Sequence, residues 1–348
     1  MSHRNRSHRF TYLALATASA LMALGCGDEG VQPVDGKEEP ETPEVKTARN
    51  YPDLVEAVSS FGAVLVDKTL YTYGGKLGDG DFAAENQSSA FRRLSLLPGG
   101  AWEDLGTVEH LESTTLAVVD GRVIRVGGLR ADNAAGEPEA LTSVATVERY
   151  DPEAGTWEAL PDMPEGRSGH GAVVVGDRLY VVAGWELKGP GEFLTGGFML
   201  DLATPGATWV PMPEPPFKLR SLGVARRGDV IYAVGGVGED QSFSGAVYSF
   251  DTKTETWAEG PELPSEIPIK GFGATACNDE EDLYVNYADG LFRLNDAGDG
   301  WEPAGELAFT RYFSPLICPG DGEVIVVGGR SAADNELTAS VESVDVAR

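Results

Sequence analysis

Four basic residues stand at similar points along the chain, and they are the side chains best suited to chemistry. Arg167 in RSGHG, Arg220 in LRSLG, Lys270 in IKGFG and Arg311 in TRYFS each precede a short strand-like run, with His170, Phe272, Tyr312 and Phe313 beside them. Further on in the same units lie Arg130, Trp185, Lys188 and Arg330. Cationic groups among aromatic rings suit carboxylate recognition, for which a guanidinium offers paired N–H donors. Acid–base catalysis would need a carboxylate beside them, and Glu112, Glu165 and Glu192 qualify by position alone. No nucleophile–base pair, phosphate-binding loop or metal-ligand cluster is visible. The histidines beyond the first ten residues, His110 and His170, are far apart, so neither a metal nor another cofactor is expected. Arg227–Asp229 reads as a hairpin turn, and Asp79, Asp81, Asp296 and Asp299 as turn residues rather than Ca²⁺ ligands. The basic residues have an equally simple alternative use, pairing with the chain's own 55 acids.

The elements that position these groups are strands in a repeat. The runs TLYTYGG, RVIRVGG, RLYVVAG, VIYAVGG, DLYVNYA and EVIVVGG, ending at Gly75, Gly128, Gly184, Gly236, Ala288 and Gly329, recur roughly every fifty residues. Each follows one apolar strand and precedes a third such as VYSFD. In five units a fourth strand is led by Trp102, Trp157, Trp209, Trp257 or Trp301. Short apolar runs joined by Gly/Asp turns make antiparallel sheets, and the paired glycines suit backbone packed closely on a neighbour. In the fifth unit Tyr287-Ala288 replaces the glycine pair, and Asp289-Gly290 predicts a type I′ hairpin in place of a long loop.

This set of Gly-Gly, Tyr/Phe-Asp and Thr-Trp elements resembles the kelch repeat. The resemblance implies an all-β fold, a six-bladed kelch-type β-propeller with four antiparallel strands per blade over residues 45–348. The chain ends on SVESVDVAR, a third strand without a fourth. Since Tyr51–Val66 aligns without a gap on Leu160–Val175, residues 45–50 are expected to supply the missing strand and close the last blade from the N-terminus. Kelch adaptor propellers use arginines to hold acidic peptides, and Arg167 looks like such a position. The ligand set expected at the channel mouth is Arg167, His170, Trp185, Arg220, Lys270, Arg311 and Arg330. Some bacterial six-bladed kelch proteins instead act on sialic acid anomers. The copper-radical oxidases of the kelch type need more imidazole than His110 and His170 supply.

Cys277 and Cys318 fall at equivalent points of units five and six. In an oxidising compartment they could form a disulfide, closing a loop worth roughly 4 kcal/mol. Equivalent positions point to the same side of their sheets, so buried free thiols remain the other reading.

Residues 1–25 read as a leader, with Arg4, Arg6 and Arg9 before an apolar stretch too short to span a bilayer. ALGC, Ala23–Cys26, resembles the lipobox of bacterial lipoproteins, which implies lipidation of Cys26; an ordinary secreted protein is the alternative. Gly27 after that cysteine is similar to lipoproteins sorted to the outer membrane. Residues 26–44 are acidic, contain proline and have few large apolar groups, so they read as a disordered tether. The net charge of −28, more negative still without the leader, argues against nucleic acid and against direct contact with anionic lipid. The expectation is therefore a monomeric, non-catalytic scaffold in the cell envelope, on the periplasmic or outer side. It would meet the membrane only through its lipid and bind a protein, acidic peptide or acidic glycan. A sialic-acid mutarotase is the alternative.

Overall fold

The computed structural model describes residues 51–188, 191–279, 282–320 and 322–346. Six antiparallel sheets succeed one another, with first strands Gly62–Val66, Thr115–Val119, Gly171–Val175, Gly223–Arg227, Thr275–Asp279 and Leu316–Ile317. Blades one to five each continue through a second, third and fourth strand, hydrogen-bonded in sequence order. The six first strands together line a central channel. The all-β, six-bladed propeller expected from the repeat is observed. Second strands such as Arg122–Val126 and Glu323–Val327 are almost wholly buried. Sheets pack on both of their faces, which explains why these runs read as continuous apolar stretches rather than alternating ones.

Four of the five tryptophans that lead a fourth strand join their blade to its neighbour by a recurrent bond. The indole N–H of Trp209, Trp257 and Trp301 donates to the carbonyl of Pro161, Pro213 and Pro261, each at the exit of the preceding blade. Trp102 of blade one donates in the same way to Pro52, at 3.0 Å. Leu54 N–H also donates to the Ala339 carbonyl at 2.8 Å, the counterpart of Met163 to Ala145 and Leu263 to Gly245. Residues 51–54 thus stand where the exit of blade six belongs. Leu54 and Val58 pack with Ile325, Val327 and Val341 of that blade. Three strands of blade six are described. Its expected fourth, within residues 45–50, lies outside the described residues, as do the leader, Cys26 and the tether.

The glycine pairs make a second latch. The N–H of Gly75, Gly128, Gly184, Gly236 and Gly329 donates across the blade boundary to the carbonyls of Leu111, Arg167, Leu219, Gly271 and Val58, at 2.8 or 2.9 Å. All five have positive φ, from +95° to +128°, and a Cβ on Gly236 would lie 2.7 Å from the Arg220 carbonyl. Only glycine meets both demands cheaply. Blade five lacks the pair, and there the buried Asn286 side chain donates from Nδ2 to the Arg311 carbonyl at 3.1 Å. A side-chain amide has replaced a backbone N–H. The neighbouring hairpin is not the type I′ expected: Tyr287 pairs with Gly290, and of the turn residues Gly290 alone has positive φ.

Cys277 and Cys318 are joined by a disulfide, their Cα atoms 5.7 Å apart. Equivalent side chains on adjacent first strands do meet, because those strands converge on the channel. The chain-entropy argument gives roughly 4 kcal/mol for this loop.

Two outcomes follow. Asn286→Leu, which keeps the volume but loses the donor, should cost about 1–3 kcal/mol in urea unfolding by stranding the Arg311 carbonyl. A cost no larger than that of a surface change would show that the amide is not a latch. Reduction of the disulfide should lower the melting temperature of the wild type and leave a Cys277→Ala/Cys318→Ala double variant unaffected.

Candidate functional site

The face carrying the first-strand entrances and the long loops is built around a collar. Ser60, Ser113, Gly169, Ser221, Gly273 and Phe313, one from each blade, all adopt left-handed backbone with φ between +50° and +61°. Ser113 N–H donates to Ser60, Gly169 to Ser113, Ser221 to Gly169, Phe313 to Gly273 and Ser60 to Phe313, each through the backbone carbonyl. Among the described residues no such bond joins Ser221 to Gly273. Within the collar sits a cavity of about 180 Å³. Hydrogen bonding consumes most of the collar's backbone groups, so a ligand chiefly has to find side chains above it.

The expected ligand residues fall into two groups. Arg167 and Arg311, at 1% and 0% exposure, are buried. Arg167 donates from Nη1 to the carbonyls of Ala183 and Gly196 and from Nη2 to Glu165. Arg311 donates from Nη1 to the Ser340 carbonyl and pairs through Nη2 with Glu342. Arg125, which the sequence did not single out, does the same work in blade two with Thr146 and Glu148. Gly196, Ser340 and Thr146 each immediately precede a third strand, so these arginines pin the returning end of the long loop. His170 is likewise buried, packed on Gly127 and Gly184. Burial and the Arg167 charge push its pKa down to about 3.

Arg220 is different because it is one residue out of register. Aligned on the collar, Leu219 occupies the place of Arg167 and Arg311, and Arg220 the place of Ser168 and Tyr312. A one-residue shift in an extended segment turns the side chain to the other face. Its guanidinium lies 4.2 Å over the Trp185 ring and 5.6 Å from Phe193, a cross-strand pair of the blade-three loop. Nη2 donates to the Gln241 side-chain oxygen at 3.0 Å. No carboxylate of the described residues pairs with it, and burial lowers its pKa. Its companions do have acids: Lys270 with Glu262 at 2.7 Å, Arg330 with Asp79 at 2.5 Å, and Arg130 with Glu109 and Asp132. Lys188 is exposed. The structure therefore brings together Arg220 and Trp185, adds Phe193 and Gln241, and leaves the other expected residues apart.

The kelch motif matches residues 113–164, 166–216 and 219–264. The chain is a six-bladed β-propeller that carries kelch motifs. The chain is 24% identical over 221 residues to Kelch-like protein 35 of Mus musculus, covering 63% of this chain and 33% of that one. It is 25% identical over 220 residues to N-acetylneuraminate epimerase of Haemophilus influenzae, covering 62% and 50%. The chain thus spans between a third and a half of these two relatives. The solved structure of YjhT shares the fold, with a TM-score of 0.67 at 16% identity over 83% of this chain and 95% of that one.

Of the three candidate carboxylates in this propeller, Glu165 is bound to Arg167 and Glu192 is exposed. Glu112 is 2% exposed, and its Oε2 has no hydrogen-bond partner. It sits at the Arg220-equivalent place of blade two. Burial pushes its pKa up to about 7, against the smaller opposing pull of Lys76 and Arg330. Burial lowers Lys76 in turn.

These shifts set a pH dependence. Between pH 4.5 and about 7 the folded chain holds the Glu112 proton more tightly than the unfolded one, so this group's contribution to stability falls as pH rises through that window. His170 acts below pH 6.5, where the unfolded chain takes up the proton and the folded chain resists to about pH 3, so its contribution falls as pH falls. Glu112→Gln should therefore gain on the wild type from pH 4.5 upward by as much as about 3 kcal/mol and keep a constant lead above pH 7. A lead independent of pH in chemical unfolding would show that Glu112 keeps its ordinary pKa.

Proposed function

We propose that this chain is a non-catalytic binding protein that holds an acidic segment of a partner protein on its loop-rich face. The observation that carries the reading is Arg220, a half-buried guanidinium stacked on Trp185 that pairs with no carboxylate of the described residues, in a chain of 55 acids. Burying a cation without its counter-ion is costly unless something completes it. An incoming carboxylate would pair with the guanidinium while Trp185 and Phe193 hold its plane. The similarity to Kelch-like protein 35 is consistent with an interaction role.

We further propose that the propeller is carried outside the cytoplasm by a lipid on Cys26, at the outer membrane, with residues 26–44 as its tether. The lipobox-like ALGC supports this, and the Cys277–Cys318 disulfide suits an oxidising compartment. A sugar-isomerising enzyme is the weaker reading, despite the likeness to N-acetylneuraminate epimerase. It would need an accessible carboxylate beside free basic groups. Glu112 is enclosed, Glu165 is tied to Arg167, and Glu192 stands in the open.

Binding of a fluorescein-labelled oligoglutamate peptide tests the reading. The wild type should bind it with an affinity that Arg220→Ala weakens about tenfold, whereas Arg178→Ala leaves it unchanged. Equal binding by Arg220→Ala, or accelerated mutarotation of N-acetylneuraminate followed by NMR, would contradict it. Mass spectrometry of the membrane-extracted chain should find a diacylglyceryl-modified Cys26 at its N-terminus.

A further inference from the structure

The surface beside Arg220 says what else the bound segment carries. Five blades raise a long loop over the collar, closed by pairings such as Leu129–Ala131 with Leu141–Ser143 and Arg311–Tyr312 with Arg330–Ser331. Blade five raises none, since Tyr287 pairs directly with Gly290. Around the gap stands a cluster of half-buried rings. Phe243 from the blade-four loop lies 4.7 Å from Phe272, and Phe272 lies 4.9 Å from Phe313 of the collar. This is also where the collar's hydrogen bonds are interrupted.

The cluster and the free guanidinium belong to one ribbon. Arg220 pairs with Val237, and Val237 bridges to Phe243 on its other side. Directly opposed residues point to the same side of such a ribbon, so Arg220 and Phe243 flank the buried Val237, two strand spacings or about 10 Å apart. That is one turn of a polyproline II segment, three residues at about 3.1 Å each, which brings the first and fourth side chains back to the same face.

We infer that the face binds one segment of a partner protein in the polyproline II conformation, bearing a carboxylate and a large apolar side chain three positions apart, the first on Arg220 and the second on Phe243, Phe272 and Phe313. This rests on the Arg220 reading above and adds the second anchor. Arg220 supplies the charge complementarity that chooses an acidic occupant, and the missing blade-five loop supplies the room for the apolar side chain. An apolar side chain and a carboxylate held at once explain why the two features adjoin.

The test uses the full chain in mild detergent and fluorescein-labelled Gly-Ser decapeptides. One carries a glutamate and a leucine three positions apart, one the same pair adjacent, one the glutamate alone and one the leucine alone. The three-apart peptide should bind about tenfold tighter than the glutamate-only peptide. Phe272→Ser and, separately, Phe243→Ser should erase that gain and leave glutamate-only binding unchanged. Near-UV circular dichroism reports whether either variant is folded. Arg220→Glu should reverse the preference toward a lysine–leucine peptide.

Equal binding of the three-apart and glutamate-only peptides would overturn the second anchor while leaving the Arg220 reading intact. A leucine gain that survives in both serine variants, or that is as large for the adjacent pair, would overturn its placement. Binding of the leucine-only peptide alone, or of N-acetylneuraminate and no peptide, would overturn both.

Discussion

The interaction on which the rest depends is a single backbone hydrogen bond repeated around the ring. At the end of each second strand a glycine in a left-handed conformation turns its N–H toward the next blade and meets the carbonyl two residues before the collar. The bond needs both the positive φ and the absence of a Cβ, so the sequence must write glycine there. Where blade five writes Tyr287-Ala288, the donor has to come from elsewhere, and the Asn286 amide supplies it. The tryptophan indoles lock the outer edge in the opposite sense, donating back to proline carbonyls at the exit of the preceding blade. Hydrophobic clusters between sheets then supply most of the stabilisation, but these polar latches fix how neighbouring sheets are oriented.

That framework decides which charged groups are left for binding. An arginine two residues before the collar points inward, where carbonyls ahead of the third strand and one carboxylate take up its donors. Arg167 and Arg311 sit at that place and are structural. An ionisable group one residue later is turned away from those partners. Arg220 and Glu112 hold that place in different blades, and each keeps a buried polar atom without a hydrogen-bond partner. One lies half-buried beside aromatic rings; the other is enclosed, and burial raises its pKa.

Much of this was legible in the sequence. The period and the strand-turn alternation give six blades, and the alignment of Tyr51–Val66 on Leu160–Val175 places the seam at the N-terminus, in agreement with the bonds from Trp102 to Pro52 and from Leu54 to Ala339. The site was legible only as a set of basic residues. RSGHG, LRSLG and TRYFS look equivalent until they are aligned on the left-handed collar residue, which is serine, glycine or phenylalanine and carries no common letter. The Asn286 latch was hidden because a side chain had taken over a backbone task. The disulfide was left open because sidedness within a sheet does not show how closely first strands converge at the channel. The charges that act on Glu112, Lys76 and Arg330, come from blades one and six, far away in sequence.

Arginine labelling with phenylglyoxal, read peptide by peptide by mass spectrometry on the folded chain, bears most directly on the division between structural and available arginines. Arg178 and Arg226 on the opposite face serve as reference for an open guanidinium. Arg220 should react while Arg167 and Arg311 stay unmodified until the protein unfolds. If Arg167 or Arg311 were modified as readily as Arg220, or if Arg220 alone were protected, the division proposed between structural and ligand-holding arginines would be wrong.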